Sequence, residues 1–295
     1  MICCRLTAAA PPGRRGIYNA IYLHVDADLS GPRNGANGRH PLPAPLWLAA
    51  RLGSLGIGND SRVVAYDAAG GMYAARLWWL LGWLGHDNVQ VLDGGFPAWQ
   101  AAGRPISEER PVPLAAVFVP HVRSNRVVNA TQVMGNLRES AFQVVDARSP
   151  SRFRGEGETM DPVGGHIPGA LNRFYADNLV DGHFKPIEQL QQEWRELLGA
   201  IPPADVVHQC GSGVTACHNL LAMAVAGYNG GRCTPDHGAN GSPTRPGPSP
   251  HNKPATRVSH RVGLDPPSKA ADKTRNCLHS WGWVCWVGHD PPYAV

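Results

Sequence analysis

The chain has 295 residues, a formal net charge of +4 and seven cysteines; since domains commonly run to about 100–200 residues, two cores fit better than one. Residues 229–295 hold eight Lys/Arg against four Asp/Glu, so the body is neutral and lacks the clustered cations that a nucleic-acid-binding face needs. The cysteines are odd in number and irregularly spaced, and MICCRLTAAAPPGRR has no apolar core of signal-peptide length. These features argue against a disulfide framework and for a reducing compartment, so a cytoplasmic protein is expected. Nor does any apolar run approach the roughly 18 residues of a membrane span.

In chain order, residues 62–66 (RVVAY) read as a strand, 73–84 as a helix and 89–92 (VQVL) as a strand, with glycine-rich turns between. The plan recurs with a strand at 143–148 (QVVDAR), a helix over 186–198 (PIEQLQQEWRELL), a strand at 205–209 (DVVHQ) and a helix from near Val214. Apolar strands alternating with helices predict an α/β fold with buried parallel sheets. Residues 55–86 and 197–228 share helix end, strand, loop and helix, which points to an internal duplication. The expected organisation is a first domain over 1–104, a proline-containing linker over 105–125, a second domain over 126–228, and a low-complexity tail over 229–295. In that tail Gly and Pro make up eighteen of the sixty-seven residues.

Cys210 stands at the end of the last strand, before Gly211-Ser212-Gly213 and a helix start. Unpaired N–H groups and the helix dipole favour the thiolate at such a place, and the two glycines let the backbone curl so that amides converge on an anion. In the duplicated register Asp67 takes the place of Cys210 and reads as a carboxylate capping a helix. A metal reading would gather His208, Cys210, Cys217 and His218, but their spacing lacks the close paired ligands of structural zinc sites. Cys217, in the helix body, reads as core. Cysteine phosphatases clamp phosphate with an Arg six residues after the nucleophile; here that position is Ala216, so sulfur transfer is favoured over phosphoryl transfer.

The CGSGVTA loop, with DGGFPAW from Asp93, DARSPSRFRG from Asp146 and GHIPGALN from Gly165, resembles the tandem-domain rhodanese-type sulfurtransferases over about residues 17–227. The loop itself is most similar to that of the 3-mercaptopyruvate sulfurtransferases. The resemblance implies two rhodanese-like α/β domains with the active site between them, and no metal or organic cofactor. It implies that Cys210 takes a sulfane sulfur from a small-molecule donor, 3-mercaptopyruvate or alternatively thiosulfate. Cys210 would then carry the sulfur as a persulfide to a thiol, such as thioredoxin or glutathione, or to cyanide.

On the same likeness Arg152 binds the donor's anionic group, and the backbone of Gly211, Gly213, Val214 and Thr215 holds the transferred sulfur. Ser212 polarises the donor together with His40 and Asp26 of the first domain. Three departures stand out. Asp161 occupies a position where relatives often carry a second Arg; MICCRLTAAAPPGRRG replaces the family's first strand and helix; and the likeness stops after Ala226-Gly227, where a further strand is expected. These departures keep open a third reading, a catalytically silent module that binds anions or proteins.

Overall fold

Val63, Val64, Ala65 and Tyr66 are buried without a break, as a strand is when helices cover both faces of its sheet. The computed structural model describes residues 1–7, 15–35, 37–109, 111–161 and 163–235 and the backbone of 286–288, and it builds two such sheets.

The first half begins with β1 (Ile2–Thr7), β2 (Gly16–Ile17), β3 (Ile21–His24), α1 (Val25–Asp28) and α2 (Pro45–Ser54). It continues with β4 (Val63–Tyr66), α3 (Met72–Trp83), β5 (Val89–Leu92), α4 (Gly95–Ala101) and β6 (Ile106–Ser107). The second half opens with α5 (Ala130–Glu139), β7 (Gln143–Asp146), α6 (Pro150–Arg154), β8 (Leu171–Asn172), β9 (Leu179–Val180) and β10 (His183–Phe184). It closes with α7 (Ile187–Leu198), β11 (Val206–Gln209), α8 (Val214–Val225) and β12 (Arg232–Cys233), and β13 (Trp286–Gly288) lies far along the chain.

The first sheet has the order β13-β5-β4-β1-β3, parallel except for β13 at its edge. The second has the order β12-β11-β7-β8 and is parallel throughout.

Both ends of the duplicated body differ from the expectation. A lost strand is expected at the start, yet β1 sits between β3 and β4, with Cys4 opposite Ile21 on one side and Ala65 on the other. Pairing on both sides leaves no open edge there, and the inward Cys4 and Leu6 are buried in the core. Burial pushes the Cys3 thiol up to about 12 and the Cys4 thiol higher still.

At the other end the family's further strand reads as missing after Gly227. The structure places β12 there, Arg232 opposite Val207 and Cys233 opposite His208, and the Thr234 amide donates to the His208 carbonyl at 3.0 Å. Gly230, in the left-handed region at φ +95°, lets the chain turn back to the sheet. The rest of the expected tail, 236–285 and 289–295, lies outside the described residues.

Helices α3 (MYAARLWWLLGW) and α8 (VTACHNLLAMAV) are apolar on almost every face, so each must be covered all round. They pack on one another, and Trp78, Trp79 and Leu80 share a core cluster with Ala216, Leu220 and Leu221. The two halves therefore meet through a common core. The helix-start loops cross-connect, since His218 Nε2 lies 3.0 Å from the Gly70 carbonyl oxygen; within the first half, Arg76 Nη2 donates to the His40 carbonyl at 3.2 Å.

Candidate active site

Cys210 leaves β11 directly into the turn that starts α8. Gly213 caps that helix at φ +73°, and a Cβ there would lie 2.8 Å from the Pro235 carbonyl oxygen, so only glycine fits. The Ser212 amide donates to Cys210 Sγ at 3.4 Å. Val214 and Thr215 form the first turn of α8, where amides have no intrahelical acceptor. Cys210 is 3% exposed, so a reagent reaches it only through the groups that cover it.

The first copy of the loop shows what such a turn gathers. The Asp67 carboxylate accepts from the amides of Ala69 at 2.7 Å, Gly71 at 2.9 Å, Tyr73 at 2.8 Å and Ala74 at 2.9 Å. It caps α3 as the sequence suggests. Cys210 stands at the corresponding end of β11.

Over the cysteine loop lies a cluster of guanidinium and carboxylate groups. Arg152 donates from Nε to Glu158 at 2.8 Å and from Nη2 to Asp161 Oδ2 at 2.7 Å. Arg39, from the first half, donates from Nη1 to Asp161 Oδ1 at 2.8 Å, and Arg148 Nη1 stands 3.7 Å from Oδ2. Gly211 has no side chain to obstruct them: a Cβ there would meet the Arg39 guanidinium and, at 2.9 Å, Asp161 Oδ2. Burial would raise the Glu158 carboxyl, but hydrogen bonds from Arg152 and the amides of Met160 and Asp161 hold it down at about 2.

Arg148 is anchored from below. It forks onto Asp146 with Nη2 at 2.6 Å, donates to the Gly165 carbonyl at 2.6 Å, and Gln209, the residue before Cys210, also donates to Asp146. Burial works to lower the Arg148 pKa, but Asp146 outweighs it and keeps the group cationic, with Cys210 among its charge neighbours. Sequence reasoning missed Arg39, Arg148 and Glu158. Arg148 carried a signal, since it follows a strand end in DAR; Arg39 carried none, being 122 residues from the carboxylate it meets.

His40 and Asp26 are brought together, Nε2 to Oδ1 at 3.2 Å. His40 Nδ1 is buried with no hydrogen-bond partner among the described residues, so Ser212 is not joined to the pair. Burial pushes His40 down to about 4, with Asp26 opposing and Arg76, Arg33 and Arg39 assisting.

The four residues of the metal reading are scattered. His208 packs edge-on to Trp194 and lies 2.9 Å from Met223 Sδ, whereas His218 stacks on Phe184. Cys217 donates from Sγ to the Gly213 carbonyl at 3.1 Å, inside the core. Among the described residues no group of three or more His, Cys, Asp or Glu is placed to hold a metal ion. A cavity of about 720 Å³ lined by Leu137, Phe142, Pro168 and Ile201 shares no residue with the Cys210 loop.

The rhodanese-like domain model matches residues 14–102 and 129–233. A probable 3-mercaptopyruvate sulfurtransferase of Pseudomonas aeruginosa is 43% identical over 234 residues, 76% of this chain and 82% of that protein. A thiosulfate sulfurtransferase of Gallus gallus is 39% identical over 218 residues, 72% of this chain and 73% of that one. Among solved structures, a 3-mercaptopyruvate sulfotransferase of Escherichia coli superposes with a TM-score of 0.69 at 27% identity, over 80% of this chain and 92% of the other.

Proposed function

The chain belongs to the rhodanese-like family, carries its domain twice and is a sulfurtransferase, and on that premise we propose that 3-mercaptopyruvate is its donor and Cys210 its sulfur carrier. The observation that carries the reading is the placement of Cys210: a thiol in a helix-start turn, with an amide on its sulfur and guanidinium groups above it.

The Cys210 thiolate attacks the donor's sulfur. The carbon–sulfur bond breaks, its electron pair stays on carbon as the enolate of pyruvate, and a proton from solvent completes pyruvate. Cys210 is left as a persulfide. An acceptor thiolate, such as that of thioredoxin or glutathione, or cyanide, then takes the outer sulfur and restores the Cys210 thiolate.

The amides at Gly211, Gly213, Val214 and Thr215 hold the outer sulfur, and Arg152 receives the donor's carboxylate. Ser212 faces the donor from the loop, while His40, kept neutral, and Asp26 border the site from the first domain. Thiosulfate is the second donor to weigh, because a relative named for it is 39% identical, between the 43% and 35% of two relatives named for mercaptopyruvate. Among the described residues no helix is long and apolar enough to cross a membrane.

The test incubates the protein with mercaptopyruvate and a thiol and follows pyruvate and sulfide. Mass spectrometry should find one added sulfur on Cys210 after donor alone, and Cys210→Ser should abolish both signals. Turnover that survives the substitution overturns the mechanism. A folded protein inert to both donors would favour the silent binding module.

A further inference from the structure

The carboxylate of Asp161 sits where an anionic donor would have to bind. It is 4% exposed, and each oxygen is held by a different guanidinium, Arg39 at 2.8 Å and Arg152 at 2.7 Å. The pair comes from the two halves of the chain, and its contact surface is Gly211, the neighbour of Cys210. A carboxylate fixed there lies beside the nucleophile, as a short 2-oxo acid with its sulfur two carbons beyond the carboxylate requires.

Charge decides what happens when such an acid arrives. Arg39, Arg148 and Arg152 face Asp146, Glu158 and Asp161, so the cluster is already neutral. Adding a carboxylate without removing one would press like charges together in a buried place, which is costly. The two other acids are committed. Asp146 is forked by Arg148 and held by Gln209, and Glu158 binds Arg152 Nε and the amides of Met160 and Asp161. The Asp161 side chain is different, because its hydrogen bonds are to the very guanidinium edges that a donor would use.

We propose that Asp161 is a built-in occupant of the donor's anion subsite, and that Arg39 of the first domain supplies the second guanidinium, with Arg152, that receives the donor's carboxylate when Asp161 rotates away. Binding is an exchange of one carboxylate for another. Arg39 does from the first domain what a second arginine at position 161 would do from the catalytic one. The exchange sets how strongly an acid must bind to open the site, so Asp161 and Arg39 govern donor affinity. The inference rests on the sulfur-transfer reading only for the identity of the donor.

The test uses pyruvate, the donor without its sulfur, titrated against the full chain by saturation-transfer NMR, beside turnover assays with mercaptopyruvate and thiosulfate. Asp161→Asn keeps the shape and removes the charge. It should tighten pyruvate binding by about tenfold and lower the KM for mercaptopyruvate while leaving kcat near its original value. Asp161→Ser provides a second variant with the same expectation. Arg39→Gln in the Asp161→Asn background should undo the gain. Pyruvate binding that is unchanged or weaker in both Asp161 variants overturns the proposal, as does an Arg39→Gln change without effect. Tighter pyruvate binding in a protein that turns over neither donor would uphold the subsite and reject the donor assignment. Turnover without any gain on removing the Asp161 charge would do the reverse.

Discussion

Asp67 and Cys210 end equivalent strands in the two copies, and the difference between them separates structure from chemistry. Asp67 is 1% exposed, and its four amide partners are Ala69 and Gly71 of the turn and Tyr73 and Ala74 of the first turn of α3. Hydrogen bonds to charged groups contribute about 1.5–3 kcal/mol each, and removal leaves the amides orphaned, so Asp67→Ala should cost about 3 kcal/mol or more. Urea denaturation followed by circular dichroism measures it, and a loss below about 1 kcal/mol would mean that water replaces the carboxylate freely. Arg152→Gln belongs to the other class. In the proposed mechanism its guanidinium holds the donor in both ground and transition states, so KM should rise about tenfold with kcat little changed. A fall in kcat at constant KM would place Arg152 in the chemical step instead.

At the scale of elements, the sequence was legible where periodicity and burial agree. The helix expected over 186–198 is α7, whose Leu190, Trp194 and Leu198 recur every four residues and form its buried face. Trp194 is fully buried against His208, so Trp194→Ala should cost about 3–5 kcal/mol, read from the shift in urea midpoint. A loss below about 1 kcal/mol would mean that the second core closes over the gap. Strands β4, β5, β7 and β11 were also legible, being short apolar runs ended by turn residues. β1 was not. Its six residues ICCRLT alternate only over Cys4 and Leu6, and what makes them a strand is pairing with β3 and β4, which come from elsewhere in the chain. β12 was hidden for the same reason, since two residues carry no periodicity and their partner is β11. Deleting residues 1–7 removes the second strand from one end of the first sheet. The truncated chain should lose the cooperative unfolding of the first half, visible as a lowered denaturation amplitude.

The whole molecule assembles what no local stretch displays. The proposed nucleophile, Cys210, lies in one loop, but the charges above it arrive from residues 39, 148, 152, 158 and 161, and the packing of α3 on α8 brings the first of these to the others. Folding buries histidines in both halves and at their seam. Burial pushes His208 down to about 3 and His218 to about 4, and lowers His86 as well. His40, beside the loop, is also held at about 4.

These folded values lie below the unfolded value of about 6.5, so between the two the unfolded chain binds protons that the folded chain refuses. Their stabilising contribution is complete above about pH 6.5 and drains away as the pH falls toward 4, and for His208 toward 3. Glu158 and Glu193, both held at about 2, act in a separate window. Their contribution is complete above about pH 4.3 and is lost only as the pH falls toward 2.

The urea midpoint should therefore drop steadily from about pH 7 to about pH 5, before these two carboxylates begin to titrate. His208→Leu removes one of the refused protons from a site already apolar around Trp194 and Met223, so the slope of midpoint against pH should flatten in that variant. Equal midpoints at both pH values, or a slope unaltered by His208→Leu, would show that these imidazoles find protons without opening the core. The core around Trp194 and Met223 would then be looser than a buried His208 implies.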